Sequence, residues 1–247
     1  MELRNLTAAD VRDAMELSKG AGWNQTAADW AALLVDSPDG CLAIECDGRL
    51  VATTTVVCYE KRLAWIGMVL THPDYKRRGY ARMLVTRAIE IAHERDVHTI
   101  KLDATDQGRP LYESLGFTDE QPVERWGYDV PGFDPARDIA GKYRPHDTPP
   151  LADPEGYLLH RPGTRAHYLG PCVAGDPQVA ARLFHRALQE IGADHYFWDI
   201  LPRNTAAVAL ARELGFARLR QLHRMVLGPN PPCDESRIYA IAGFEWG

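Results

Sequence analysis

The sequence predicts an α/β (α+β) protein in which two related halves follow one another. Three observations carry this. Strand-like apolar runs alternate with amphipathic helical stretches along the chain. The order strand, helix, strand, helix, Gly-Phe, strand over residues 63–130 recurs from residue 167 onward. Between the two lies a stretch, 131–155, with prolines at 131, 135, 145, 149, 150 and 154 and no helical or strand period, read as a linker or surface crossover. The expected division is therefore 1–130, a crossover at 131–155, and a shorter domain at 156–247.

The elements follow in order. Residues 3–6 read as a strand, and 8–19 and 26–35 as helices, the first with Val11, Met15 and Ser18 on one face. Strands at 41–46 and 50–59 bracket Asp47-Gly48-Arg49, a hairpin turn. A strand at 63–70 feeds a helix at 80–95 whose stripe is Leu84, Ala88, Ile91 and Ala92. A strand at 99–104, a helix around 107–115 and a strand around 123–130 complete a β-α-α-β-β-β-α-β-α-β order. The second half starts with a strand at 167–173. A helix at 177–191 carries Val179, Leu183, Ala187 and Ile191, a strand spans 196–200, and a helix opened by Asn204 ends at Leu214-Gly215-Phe216. This half lacks the two opening helices. Residues 237–244 read as one more strand, pairing within the chain or across a dimer.

The most informative stretch runs from Val69 to Ala81. A buried strand ends at His72-Pro73, and Lys76, Arg77, Arg78 and Gly79 then lead into the helix at Tyr80. A helix start carries unpaired N–H groups and partial positive charge. Three cations beside those donors, and a glycine that lets backbone approach a ligand, make a site for a diphosphate.

This stretch resembles the acetyl-CoA-binding segment of the GCN5-related N-acetyltransferases, the GNAT superfamily. Its pattern is Gln/Arg-x-x-Gly-x-Gly/Ala, and Lys76, Gly79 and Ala81 occupy the fixed slots, with Lys a mild departure in the first. A second motif agrees: Tyr112 stands four residues before Gly116-Phe117, the slot of a family Tyr that lies near the CoA sulfur. The resemblance implies two GNAT-like domains, each a mixed, mostly antiparallel sheet flanked by helices, with a splayed strand pair binding CoA in the first. It implies acetyl-CoA held by the backbone of Met68, Val69, Leu70 and Thr71 and by Lys76, Arg77, Arg78, Gly79, Tyr80 and Ala81. An amine attacks the thioester directly and Tyr112 protonates the departing thiolate. The base has three candidates, Asp103, Glu60 and His72, of which Asp103 is the catalytic assignment. The loop before the second helix, with Trp23, Asn24 and Gln25, implies the acceptor pocket, while Trp23 and Trp30 also suit a purely core-stapling role.

The second half departs from the pattern. Its loop is Ala174-Gly175-Asp176-Pro177, without a basic residue, and reads as an Asp N-cap with Pro at the first helical position. Ala211 stands where the first half has Tyr112. The expectation is one active half and one structural half, in the manner of tandem GNAT proteins.

Composition sets the remaining bounds. A net charge of −6 argues against a nucleic-acid binder, and the basic cluster at 76–78 is local. No signal-like N-terminal region and no membrane-length apolar run occur, so no membrane partner is expected. Five cysteines without CxxC spacing fit a reducing cytoplasm, and no metal cluster stands out among nine histidines. The reading is a cytoplasmic acetyltransferase of a small-molecule amine, monomeric as a pseudo-dimeric tandem or homodimeric. A non-catalytic acyl-CoA-binding sensory module and an acyltransferase for longer acyl-CoA are the alternatives.

Overall fold

The computed structural model describes residues 1–129 and 151–247. Two compact units interleave along the chain. Met1–Glu120, His223–Pro231 and Phe244–Gly247 form the first, and Gln121–Leu222 and Pro232–Gly243 the second. The contiguous halves expected at 1–130 and 156–247 are thus modified by an exchange of segments. Most of the expected crossover lies outside the described residues.

The first unit contains β1 (Glu2–Asn5), α1 (Val11–Gly20), α2 (Ala27–Asp36), β2 (Cys41–Cys46), β3 (Arg49–Tyr59), β4 (Leu63–Thr71), α3 (Tyr80–Glu94), β5 (Ile100–Ala104) and α4 (Arg109–Glu113). β1 to β4 are successive antiparallel neighbours, and β5 joins β4 in parallel. The β2–β3 turn has Asp47 and Gly48 at φ 53° and 76°, the geometry its sequence signalled. Strand alternation divides the core between two faces. Leu42, Ile44, Val56 and Ile66 pack with Leu84, Val85 and Ala88 of α3. Cys41, Ala43, Val57, Met68 and Leu70 pack with Leu17 of α1 and with Trp30 and Leu33 of α2.

In the second unit, β6 (Thr118–Asp129) pairs antiparallel with β10 (His195–Ile200) through residues 124–129. β10 runs parallel to β9 (His167–Ala174), which continues to β8 (Gly156–Arg161) and β7 (Leu151–Asp153). α5 (Pro177–Ile191) and α6 (Thr205–Glu213) cover this sheet with Val179, Leu183, Phe184, Ala207 and Leu210. The sequence reading placed 151–153 in the crossover, whereas these three residues form a strand. A three-residue strand flanked by prolines carries too short a pattern to register.

The exchange concerns the last strand of each repeat. β6 begins in the first unit and continues into the second; β11 (Ala217–Leu227) begins in the second and ends in the first, where residues 223–227 pair antiparallel with β5. Each unit therefore completes its sheet with the strand that follows the other repeat's Gly-Phe.

Candidate active site

In the first unit, β4 and β5 pair only at Ala64–Ile100 and Trp65–Lys101. Beyond these the two parallel strands have no further pairing, which leaves Met68, Val69, Leu70 and Thr71 past the last paired residue. A bulge accompanies the divergence. The β3–β4 register shifts between Thr53 and Thr55, and Met68 has φ 51°, a left-handed conformation rare outside glycine. The Thr53 hydroxyl donates to the Met68 carbonyl at 2.8 Å, and that of Thr54 to the Gly67 carbonyl at 3.2 Å. Thr53, Thr54 and Thr55 are fully buried, and the first two hydroxyls hold carbonyls at the bulge.

Lys76, Arg77, Arg78 and Gly79 are exposed at the start of α3. Gly79 takes the N-cap position at φ 84°; no side chain caps the helix, and its first turn holds no acid. Arg78 donates to the Asp74 carbonyl at 3.0 Å and lies over the Tyr75 ring. The result is an uncapped, cation-flanked helix start that an anion fits.

Tyr112 sits on α4, 7% exposed, with its ring edge-on to Phe117 at 6.0 Å. Its hydroxyl bonds no other described residue. Burial raises its pKa well above the ordinary phenol value, so the group stays protonated and available as a donor.

The three base candidates separate. Glu60 is exposed in the β3–β4 turn, 3.6 Å from Arg62. His72 belongs to its turn: Arg49 donates to Nε2 at 2.7 Å and Nδ1 lies 3.7 Å from the Asp74 carboxylate. The Asp103 side chain is fully buried and doubly bonded by Arg224, Nε to Oδ1 at 2.9 Å and Nη2 to Oδ2 at 3.0 Å, while that guanidinium covers the Trp65 ring at 4.6 Å. Arg224 ties Asp103 on β5 to the incoming strand β11. The second unit repeats the device: Arg125 on β6 holds Asp199 on β10 at 2.8 and 2.6 Å.

In the loop before α2, Asn24 and Gln25 are buried and Trp23 partly so. Gln25 Nε2 donates to Glu245 Oε2 at 2.8 Å. Thr26 and Asp29 form a reciprocal capping box that starts the helix. Trp30 is wholly buried, its Nε1 donating to Ser18 at 3.1 Å, and belongs to the core. Three groups escaped the sequence reading: the Thr53-Thr54-Thr55 run, Arg224, and Phe244–Gly247. The threonines were legible only as strand formers, and the other two come from more than a hundred residues away.

The second unit answers each feature with an opposite. Asp176 caps α5, accepting the Val179 N–H at 2.9 Å. β12 (Ile238–Ala240) pairs antiparallel with β9 at Cys172 and Val173, beyond the residues of β9 that pair with β10. It is fixed from both sides. Trp198 Nε1 donates to the Tyr239 carbonyl at 2.7 Å, the Ile241 N–H to the Asp199 carbonyl at 3.1 Å, and the Tyr168 hydroxyl to the Ile241 carbonyl at 2.9 Å. Asn204 caps α6 through Oδ1 and holds the carbonyls of Ser236 and Ile238 through Nδ2. The gap between the parallel strands of this unit is thus filled by the chain itself. The strand expected at 237–244 is realised as these three residues, paired within the chain.

Among the described residues, no group of three or more His, Cys, Asp or Glu side chains is arranged for a metal, and no helix is long and apolar enough to cross a membrane.

Residues 8–117 match the Acetyltransferase (GNAT) family and residues 152–240 an Acetyltransferase (GNAT) domain. The uncharacterized N-acetyltransferase MJ1207 of Methanocaldococcus jannaschii is 27% identical over 145 residues, covering 50% of this chain and 63% of its own. The chain spans between 46% and 63% of the length of three curated relatives it matches. The crystal structure of a Pyrococcus horikoshii protein shares the fold with a TM-score of 0.83 at 24% identity, covering 100% of this chain and 95% of the other. A tandem GNAT protein from the clavulanic acid biosynthesis pathway does so with a TM-score of 0.65 at 15% identity, over 94% and 99%. The two family matches together take in most of the sequence, and the chain belongs to the GNAT superfamily in its tandem form.

Proposed function

We propose that the first unit transfers an acetyl group from acetyl-CoA to the primary amine of a small molecule, and that the second unit has no cofactor site. The observation that carries this is the contrast within one chain: an open strand splay with an uncapped, basic helix start in one unit, a filled splay with an Asp-capped helix in the other. Asp176 already occupies the Val179 N–H, a donor that a diphosphate would need, and would repel its charge.

The residues of the first unit fit the cofactor's chemistry. N–H groups from Arg77 to Ala81 and the charge of Lys76, Arg77 and Arg78 would receive the diphosphate. The backbone of Met68, Val69, Leu70 and Thr71 would pair with the pantetheine arm, and peptide groups at the Met68 bulge would be the ones to polarise the thioester carbonyl. Tyr112, held neutral by burial, would give its proton to the leaving thiolate; general acids are typically worth about 10²–10⁴-fold. Trp23, Asn24 and Gln25 would border the acceptor.

The test is CoA-thiol release from acetyl-CoA across a panel of aliphatic and aromatic amines, with product mass confirming N-acetylation. Turnover with at least one aliphatic amine is expected. Tight acetyl-CoA binding without turnover over the whole panel would establish a non-catalytic binding module instead.

A further inference from the structure

Acetyl transfer to an amine needs a group that takes the proton the nitrogen sheds, and β11 brings one to the end of β5. Ala104 is the last residue of β5, one of the two parallel strands that diverge. His223 stands directly opposite it. Facing residues of a strand pair share a face of the sheet, and so do alternate residues along one strand. His223 therefore lies on the side of Met225, which packs in the same cluster as Tyr112.

The chain leaves β5 through a tight turn at 105–108, in which the Gly108 N–H donates to the Thr105 carbonyl at 2.9 Å and to its Oγ1 at 3.1 Å. This turn touches both groups. Asp106 Oδ1 lies 2.7 Å from His223 Nε2. Gly108 lies against the Tyr112 ring, where a methyl group would come within 3.1 Å of Cε2. Four consecutive residues thus tie the imidazole to the phenol on one side of the sheet.

The pair has a definite proton arrangement. An ionised carboxylate only accepts, so Nε2 of the neutral ring carries the hydrogen and Nδ1 carries the lone pair. His223 has no other bond among the described residues. Its side chain is 22% exposed, which leaves Nδ1 within reach of a substrate or a bridging water, and Asp106 is 92% exposed and well solvated. The other charges nearby are engaged elsewhere. Arg224 points to the opposite face with Asp103, and Arg109 on α4 is bound to Glu113 and Asp119.

We propose that His223, oriented by Asp106, is the general base that complements Tyr112; the inference rests on the acetyl-transfer reading above. The nitrogen's electron pair forms the C–N bond to the thioester carbon, and Nδ1, directly or through one water, takes the proton that the nitrogen sheds. The C–S bond breaks with its pair going to sulfur, which receives the Tyr112 proton. The imidazolium then releases its proton to solvent, and Tyr112 regains one from there. His223 lies within the region 152–240 that matches the second GNAT domain, yet folds into the first unit. The repeat without a cofactor site of its own thereby supplies a catalytic residue to the other.

The test compares the parent with His223→Ala, using acetyl-CoA and any amine that the panel finds. Turnover is expected to fall by about 10²–10⁴-fold with acetyl-CoA affinity unchanged, and imidazole added to the solution is expected to restore part of it. A merely structural role would give no such rescue. Nitrogen-15 NMR of neutral His223 in the parent, which needs neither turnover nor a variant that folds, is expected to show Nε2 protonated and Nδ1 bare. The reverse tautomer, unchanged turnover in the variant, or a loss that imidazole does not rescue would overturn the base while leaving acetyl transfer standing. No turnover by the parent with any amine would defeat the acetyl-transfer reading itself, and the base with it.

Discussion

Replacing Arg224 by methionine strips the cation from Asp103 while keeping an apolar stem against Trp65. Asp103 has no exposed side-chain surface and Arg224 only 9%, so the pair counts as buried. Removing one partner of such a pair costs about 3–5 kcal/mol, because the remaining charge is left in low dielectric. That is a large part of the roughly 5–15 kcal/mol that holds a domain together. The loss should reach residues 223–227, whose antiparallel pairing completes the first unit's sheet beside β5. Urea unfolding followed by tryptophan fluorescence measures it. The double variant Asp103→Leu/Arg224→Met removes both charges and should recover most of the stability, as replaced buried pairs commonly do. It also separates anchor from base: if Asp103 only positions β11, the folded double variant turns over amine at a rate near the parent's. A cost below about 1 kcal/mol for Arg224→Met, or a folded but inactive double variant, would refute the reasoning.

Tyr112→Phe should lower turnover by about 10²–10⁴-fold while leaving acetyl-CoA affinity and the unfolding midpoint nearly unchanged, since the lost hydroxyl bonds no other described residue; unchanged turnover removes Tyr112 from the acid role. Asp176→Ala should cost about 1 kcal/mol through the lost cap on α5 without creating a second acetyl-CoA site, because β12 stays in the gap. The fourth expectation concerns acid. Burial, reinforced by the charges of His160 and Arg161, lowers the pKa of His167 to about 3 from the ordinary 6.5. As pH falls below 6.5 the unfolded chain binds this proton before the folded one does. The His167 contribution is therefore fully present above pH 6.5 and is lost as pH falls toward 3. Between pH 7 and pH 5 the loss should be about 2 kcal/mol, read from the urea midpoint. Asp10, held down to about 2 by Arg4, gives way only below pH 3.8 and does not enter that window.

Local features were legible because their physics is local. The Asp47-Gly48 turn, the Asp176 cap, the Gly79 helix entry and the strand-to-helix passage at Val69 to Ala81 each depend on a few neighbouring residues, and each was readable from them. The segment exchange was not. β6 and β11 follow equivalent Gly-Phe turns with similar patterns, so either strand suits either sheet, and hydrophobic period alone does not choose a partner. The partner of Gln25 was hidden for a related reason. Glu245 looks like an exposed charge after a short strand until folding brings it 220 positions back to Gln25. Asp103 drew attention as a carboxylate on a strand near the cleft; the arginine that occupies it lies 121 positions downstream.

The proposed function puts one cofactor site in each chain, in the first unit. Calorimetric titration of the protein with acetyl-CoA, beside a Gly79→Val variant, tests it most directly. Valine is strained at φ 84°, so the variant distorts the start of α3 while Gly79 itself has open space around it. One site per chain is expected, lost or strongly weakened in the variant. Two sites would contradict the reading of the second unit as closed by β12, and no binding to the parent protein would contradict the assignment of the first.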